Sequence, residues 1–260
     1  MDLTQLLPRE LLTMIMAHLS GLDLLHAALV CKAWSAAACS ARDTRNRWAY
    51  QIIVDEVLAK FSAVYWTVAG SASLWLWLYV NGRNPFWTPG DVDVWFIGQP
   101  GSRPLLDFYD RSEFADPDAQ PADVLPFQLR HAQDDAIDLP FHVRNGPGAA
   151  AGSYRSGSVI YRRGMGIHVL LSPGAVGRSS SGTPRCQFDI RFLQIAVNLS
   201  PDKQQFLFYF TSQGSSVMVT QNRIDKYSAR FDGDTWSRMS SMVFVLGNND
   251  DAIVVPRAIF

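Results

Sequence analysis

The chain has 260 residues, a formal net charge of −1 and 48% hydrophobic residues. The near-neutral charge supplies no whole-chain attraction to nucleic acid or anionic membrane, and the apolar content excludes a disordered chain. No apolar run approaches the ~20 residues of a membrane span, residues 74–80 being the densest, and eight Trp demand packed sites or a binding surface.

The opening residues lack a basic n-region, and Pro8, Arg9 and Glu10 interrupt the apolar positions, so a secretory signal is not expected. Three cysteines are an odd number for a disulfide framework, and the five histidines show no metal-ligand spacing. The chain reads as intracellular, in cytoplasm or nucleus, with no membrane partner.

Residues 3–48 read as short helices. Pro8 suits a first helical position, where its missing N–H costs nothing. Leu11, Leu12, Ile15, Met16 and Leu19 then recur at helical spacing. Ser20-Gly21 ends that helix. Leu22, Leu25, Ala28 and Leu29 mark a second, and Val30, Cys31 and Trp34 lead into a third, Ala-rich helix expected to end near Ala41. Helices this short are marginal alone and must pack on one another or on a partner.

The order Leu7-Pro8-x-Glu10-Leu11, Ile15, Leu19, Asp23-Leu24 and Val30-Cys31-Lys32-x-Trp34 resembles an F-box. The resemblance implies a three-helix module that docks on a Skp-family adaptor within an SCF-type ubiquitin ligase. On that reading Leu7, Pro8, Ile15, Leu19, Leu22, Leu25, Val30 and Trp34 divide between the module's small core and the adaptor groove. The sequence does not say which residue does which, and a plain helical hairpin is the alternative. An F-box also implies a eukaryotic owner or an agent living inside one.

Residues 44–61 read as a linking helix with Trp48, Ile52, Val57, Leu58 and Phe61 along one stripe. A β-type run follows at 64–69, then Gly70-Ser71, then an apolar helix over 72–80 and a turn at 81–85. In Asp91-Val92-Asp93-Val94 the alternation places both carboxylates on one strand face. Side by side they repel, and a divalent cation is the usual remedy.

Strand, Gly-Ser, helix, then Asp-x-Asp on the next strand resembles the nucleotidyltransferase fold, in a form similar to that of large DNA viruses. The resemblance implies a phosphate held at Gly70 and Ser71, and Mg²⁺ held by Asp91, Asp93 and a third carboxylate. Asp189, between apolar neighbours in a strand-like run at 187–192, is the candidate third. The gaps from Ser71 to Asp91 and from Asp93 to Asp189 are longer than that family usually shows. A solvated strand edge, or a retained fold without catalysis, is the plain reading of the aspartates.

Strands are expected at 158–161 and 166–171. An acidic, Pro-rich insertion is expected over 107–138, and a Ser/Gly-rich loop at 174–184. Arg223, Lys226, Tyr227 and Arg230 fall on one helical face, which would suit phosphate or nucleic acid, or stand as a solvated stripe. β-type runs at 206–210, 242–246 and 253–255 close the chain. The expected class is α+β: an F-box over 1–48, a linking helix over 49–61, and a nucleotidyltransferase-like α/β domain over 62–260 with a loop-rich insertion near 99–157. The expected function is an adaptor that presents an unknown protein substrate to the SCF ligase. The alternative is a Mg-dependent nucleotidyltransferase acting on a nucleotide.

Overall fold

A computed structural model describes residues 7–59, 66–97, 130–131, 137–138, 156–162, 165–170, 176–179, 182–212, 219–231, 233–247 and 251–257. Most of the acidic insertion lies outside them. Three helices open the chain: α1 (Arg9–Met16), α2 (Gly21–Ala28) and α3 (Lys32–Tyr50). Pro8 precedes α1 with extended ψ, and the Ser20 hydroxyl caps α2 by accepting from the Asp23 N–H. The helices close on a small core of Leu12, Met16, Leu24, Ala27, Ala37, Ala38 and Ala41. Arg45 reaches from α3 to the carbonyls of Ala17 and Leu19, tying down the orphan C-terminus of α1.

The third helix does not stop near Ala41. It runs to Tyr50 and passes without a break into a π-helical segment, Gln51–Leu58. A boundary at residue 48 therefore falls inside one rod. Ala49, Tyr50, Ile52, Ile53, Val54, Val57 and Leu58 on that rod belong to the main core of the body.

The body is built on a seven-stranded sheet. Its strands are β1 (Trp66–Ala69), β2 (Asp91–Phe96), β5 (Ser156–Arg162), β6 (Met165–Leu170), β9 (Ile195–Leu199), β10 (Gln205–Phe210) and β11 (Ile253–Pro256). Their order is β11-β10-β9-β1-β2-β6-β5. Only the β2–β6 pair is parallel; its neighbours are antiparallel. Short hairpins pair β3 (Arg130–His131) with β4 (Ile137–Asp138), and β7 (Val176–Arg178) with β8 (Pro184–Cys186). The loop expected at 174–184 thus has strand pairing at both ends.

One sheet face carries the main core. Val68, Val92, Val94, Ile167, Val197, Phe206 and Phe208 meet α4 (Ser71–Val80) through Leu74, Trp75 and Leu76. Helix α4 is apolar nearly all round, as a helix enclosed by a core must be. Helices α5 (Gln221–Ser228) and α6 (Gly233–Leu246) complete the layer, with Phe192 edge-on to Tyr227 and Trp236. The opposite face carries a smaller core of Ala69, Trp95, Ile97, Val176, Cys186 and Ala196.

Two expected strands are absent. Residues 242–246 are the last turn of α6. The run at 187–192 is a bend that tightens into a 3₁₀ turn, Arg191–Leu193, so Asp189 does not lie on a strand. Both are runs of five or six residues, too short for periodicity to separate helix, strand and turn.

The two parts of the molecule are joined a second time, away from the rod. The segment Pro85-Phe86-Trp87 lies between them. Phe86 packs on the three-helix core, with the Arg42 guanidinium 5.0 Å over its ring. Trp87 is buried in the body core, edge-on to Phe231 at 5.4 Å. The buried Asn46 amide donates to the Pro85 carbonyl at 3.1 Å.

Candidate functional site

The first candidate lies where β1, β2 and β6 meet the start of α4. Strand alternation sends Val92 and Val94 into the main core and leaves Asp91 and Asp93 half-buried on the opposite face. The expected shared face is thus observed. Asp93 stands opposite Ala69 on β1 and His168 on β6. Its Oδ1 is 3.2 Å from His168 Nδ1.

Gly70 makes the turn into α4 at φ 83°, a region open to glycine. Its N–H donates to the Ile195 carbonyl, and its own carbonyl accepts the first helical bond, from Leu74. A Cβ at Gly70 would sit 3.9 Å from Asp93 Oδ2 and 3.8 Å from the Phe188 ring. The Gly70-Ser71 turn and Asp93 are therefore neighbours, as the sequence order implied.

The Asp93 carboxyl is pushed above the ordinary range, first by burial. The His168 hydrogen bond opposes this, the like charge of Asp91 adds to it, and Lys226 opposes it.

Asp189 is arranged differently. Its Oδ1 accepts the Ile190 N–H at 3.0 Å, and its Oδ2 lies 2.6 Å from Arg223 Nε in an ion pair. Among the described residues no group of three or more His, Cys, Asp or Glu gathers to hold a metal ion. Asp91, Asp93 and Asp189 thus do not form the expected three-carboxylate set. The cation beside Asp189 is a guanidinium, and the partner of Asp93 is an imidazole. The fit for Mg²⁺ is not met, and no chemical step is assigned to it.

The basic and aromatic face of α5 is turned partly inward, with Arg223 and Arg230 half-buried and Lys226 exposed. Tyr227 is buried, and burial pushes its phenol pKa up. Arg223 is engaged by Asp189. The Arg230 guanidinium lies 5.2 Å from both the Trp87 and Tyr227 rings, and Lys226 Nζ is 5.8 Å from the Tyr227 ring.

The second candidate is the outer face of the three-helix module. Leu7, Leu11, Met14 and Ile15 on and before α1 are exposed, and so are Leu29 and Val30 ahead of α3, Leu29 to 77%. Leu19 and Trp34 pack instead against the module's core. Pro8 is exposed at the start of α1, and Leu22 and Leu25 are half-buried on α2. Burial thus separates the residues packed on the module's core from those left at its surface. Leu11, Met14 and Leu29 join the face beyond the residues expected there. On α1 Leu11 lies four positions before Ile15 and three before Met14, so helical spacing held the signal for Leu11.

Exposed apolar faces on folded domains are candidate interaction sites. A family model described as F-box-like matches residues 4–42. No curated protein and no solved structure matches the chain. The chain therefore carries an N-terminal F-box-like domain on an α+β body, and F-box domains generally bind Skp-type adaptors within SCF complexes. Among the described residues no helix is long and apolar enough to cross a membrane.

Proposed function

We propose that the chain is an SCF adaptor: its F-box docks a Skp-family protein, and its body presents a protein substrate to the ligase. The observation that carries this is the face of Leu7, Leu11, Met14, Ile15, Leu29 and Val30, exposed in a module whose own core is already closed. Burying such side chains contributes about 1.5–3 kcal/mol each. Four of them on and before one helix, with two more at the next helix junction, suit a helix-in-groove contact. The setting is the cytoplasm or nucleus of a eukaryotic cell, or of one that is infected.

The body supports presentation because it is held to the F-box in two places. The rod from Lys32 to Leu58 enters the main core, and the segment Pro85-Phe86-Trp87 touches both parts. A substrate bound to the body would keep a defined position relative to the adaptor.

The test is a binding measurement between the purified full chain and a purified Skp-type adaptor. Wild type binds, and Ile15→Asp and Leu29→Asp abolish binding while leaving circular dichroism unchanged. Both side chains are exposed, so their loss does not open the core. A wild-type chain that fails to bind, or variants that bind as tightly as it does, overturns the reading.

A further inference from the structure

The chain has 19 arginines against four lysines, although lysine is among the commonest residues of globular proteins. The two side chains carry the same charge. Only lysine releases its proton readily enough to act as a nucleophilic amine; the guanidinium stays protonated.

The described lysines, Lys32, Lys203 and Lys226, are exposed but few, and each has a neighbour that bears on its amine. Lys203, in the β9–β10 turn, donates its Nζ to the Ala59 carbonyl at 3.0 Å. Lys226 has its Nζ 5.8 Å from the Tyr227 ring, and its charge acts on the Asp93 carboxyl. Lys32 opens α3 two residues after Val30, inside the face assigned to the adaptor. Lys60 lies outside the described residues. Among the described residues the other exposed cationic positions are arginines: Arg9, Arg47, Arg83, Arg191 and Arg238.

We infer that the arginine-for-lysine surface spares the chain from modification by the ligase it docks on, so that ubiquitin passes to the bound substrate. The inference rests on the docking reading above. In the transfer, a lysine amine attacks the thioester that joins the ubiquitin C-terminal carbonyl to a conjugating-enzyme cysteine. The C–N isopeptide bond forms, the C–S bond breaks, and the amine's proton goes to the departing thiolate. An arginine in the same place offers no neutral amine. It keeps the surface charge and removes the acceptor.

The experiment assembles the full chain with adaptor, cullin, RING protein, activating and conjugating enzymes, ubiquitin and ATP. It compares wild type with the triple variant Arg47→Lys/Arg83→Lys/Arg238→Lys, reading attached ubiquitin by gel mobility and peptide mass spectrometry. Wild type stays largely unmodified, and the variant is modified several-fold faster at the introduced lysines. Wild type modified as fast as the variant overturns the inference, and so does a variant that stays as unmodified as wild type. Co-purification with the adaptor is read on the same samples. Failure to assemble overturns the docking reading, and this inference with it, whereas assembly followed by rapid self-modification overturns this inference alone.

Discussion

A Cβ placed on Gly21, the first residue of α2, would fall 2.7 Å from the Cβ of Trp87 and 3.0 Å from its Cα. The F-box and the body meet at that point without room for one methyl group. On an open helix surface Gly→Ala stabilises, because the freer glycine backbone costs about 0.5–1 kcal/mol there. At Gly21 the clash is with backbone, which cannot rotate away. Gly21→Ala is therefore expected to destabilise by about 1–3 kcal/mol, a Tm fall of about 2–4 °C per kcal/mol, read by thermal circular dichroism.

The same contact gives a coupling test. Trp87→Ala removes a buried ring from the body core and should cost about 3–5 kcal/mol. In that background Gly21→Ala should cost about as much as in wild type, because alanine at position 87 keeps the Cβ and Cα that the added methyl meets. A Gly21→Ala cost that vanishes in the double-mutant cycle would mean that the Trp87 ring, and not those two atoms, is the obstacle.

Asp189 is nearly enclosed, its side chain 10% exposed, and Arg223 is its ion-pair partner. Arg223→Met should leave that carboxylate without a cation and cost about 1–3 kcal/mol. Asp189→Asn combined with Arg223→Met should cost less than the two single losses summed, because no uncompensated charge then remains. Urea midpoints at constant m-value measure all three variants.

Gly70 contributes its backbone conformation alone: a Cβ added there would find its nearest atoms 3.8 Å away, which is ordinary contact. Gly70→Ala should still destabilise by about 1–3 kcal/mol, through the strain of holding alanine at positive φ. An unchanged urea midpoint would show that the turn into α4 relaxes freely.

The Asp93 carboxyl has its pKa raised by burial above the ordinary 3.8. A carboxyl raised in the folded state favours the protonated form. Its contribution is full below the unfolded value and is lost as pH climbs through the folded one. Asp93→Asn, which stays neutral, should gain on wild type as the pH rises from near 3.8 toward neutrality. Paired melting curves across that range check the sign. A difference that stays constant or shrinks would mean that His168 and Lys226 outweigh burial.

The F-box helices, the Gly70-Ser71 turn, α4 and the paired aspartates of β2 were legible because each rests on local spacing or one turn residue. The junctions were not. Helical periodicity cannot show that α3 continues past Ala41 into a π-helical segment, since the apolar stripe continues either way. The third-carboxylate role given to Asp189 needed a strand, and six residues of mixed apolar character were too few to establish one. The partner of Asp189 is 34 positions away on α5, a pairing that no local pattern records. The contact of Gly21 with Trp87 is likewise long-range. It leaves a glycine at a helix start, where sequence alone reads only a turn.

The last strand also fixes how the sheet meets other molecules. The Arg257 N–H donates to the Gln204 carbonyl, so along β11 Val255 and Ile253 face inward to β10 in alternation, and Pro256 and Val254 turn their backbone outward. Pro256 has no N–H to offer there. A neighbouring copy seeking to extend the sheet finds one donor where two would stand, so growth into ribbons along that rim is interrupted by a single imino acid.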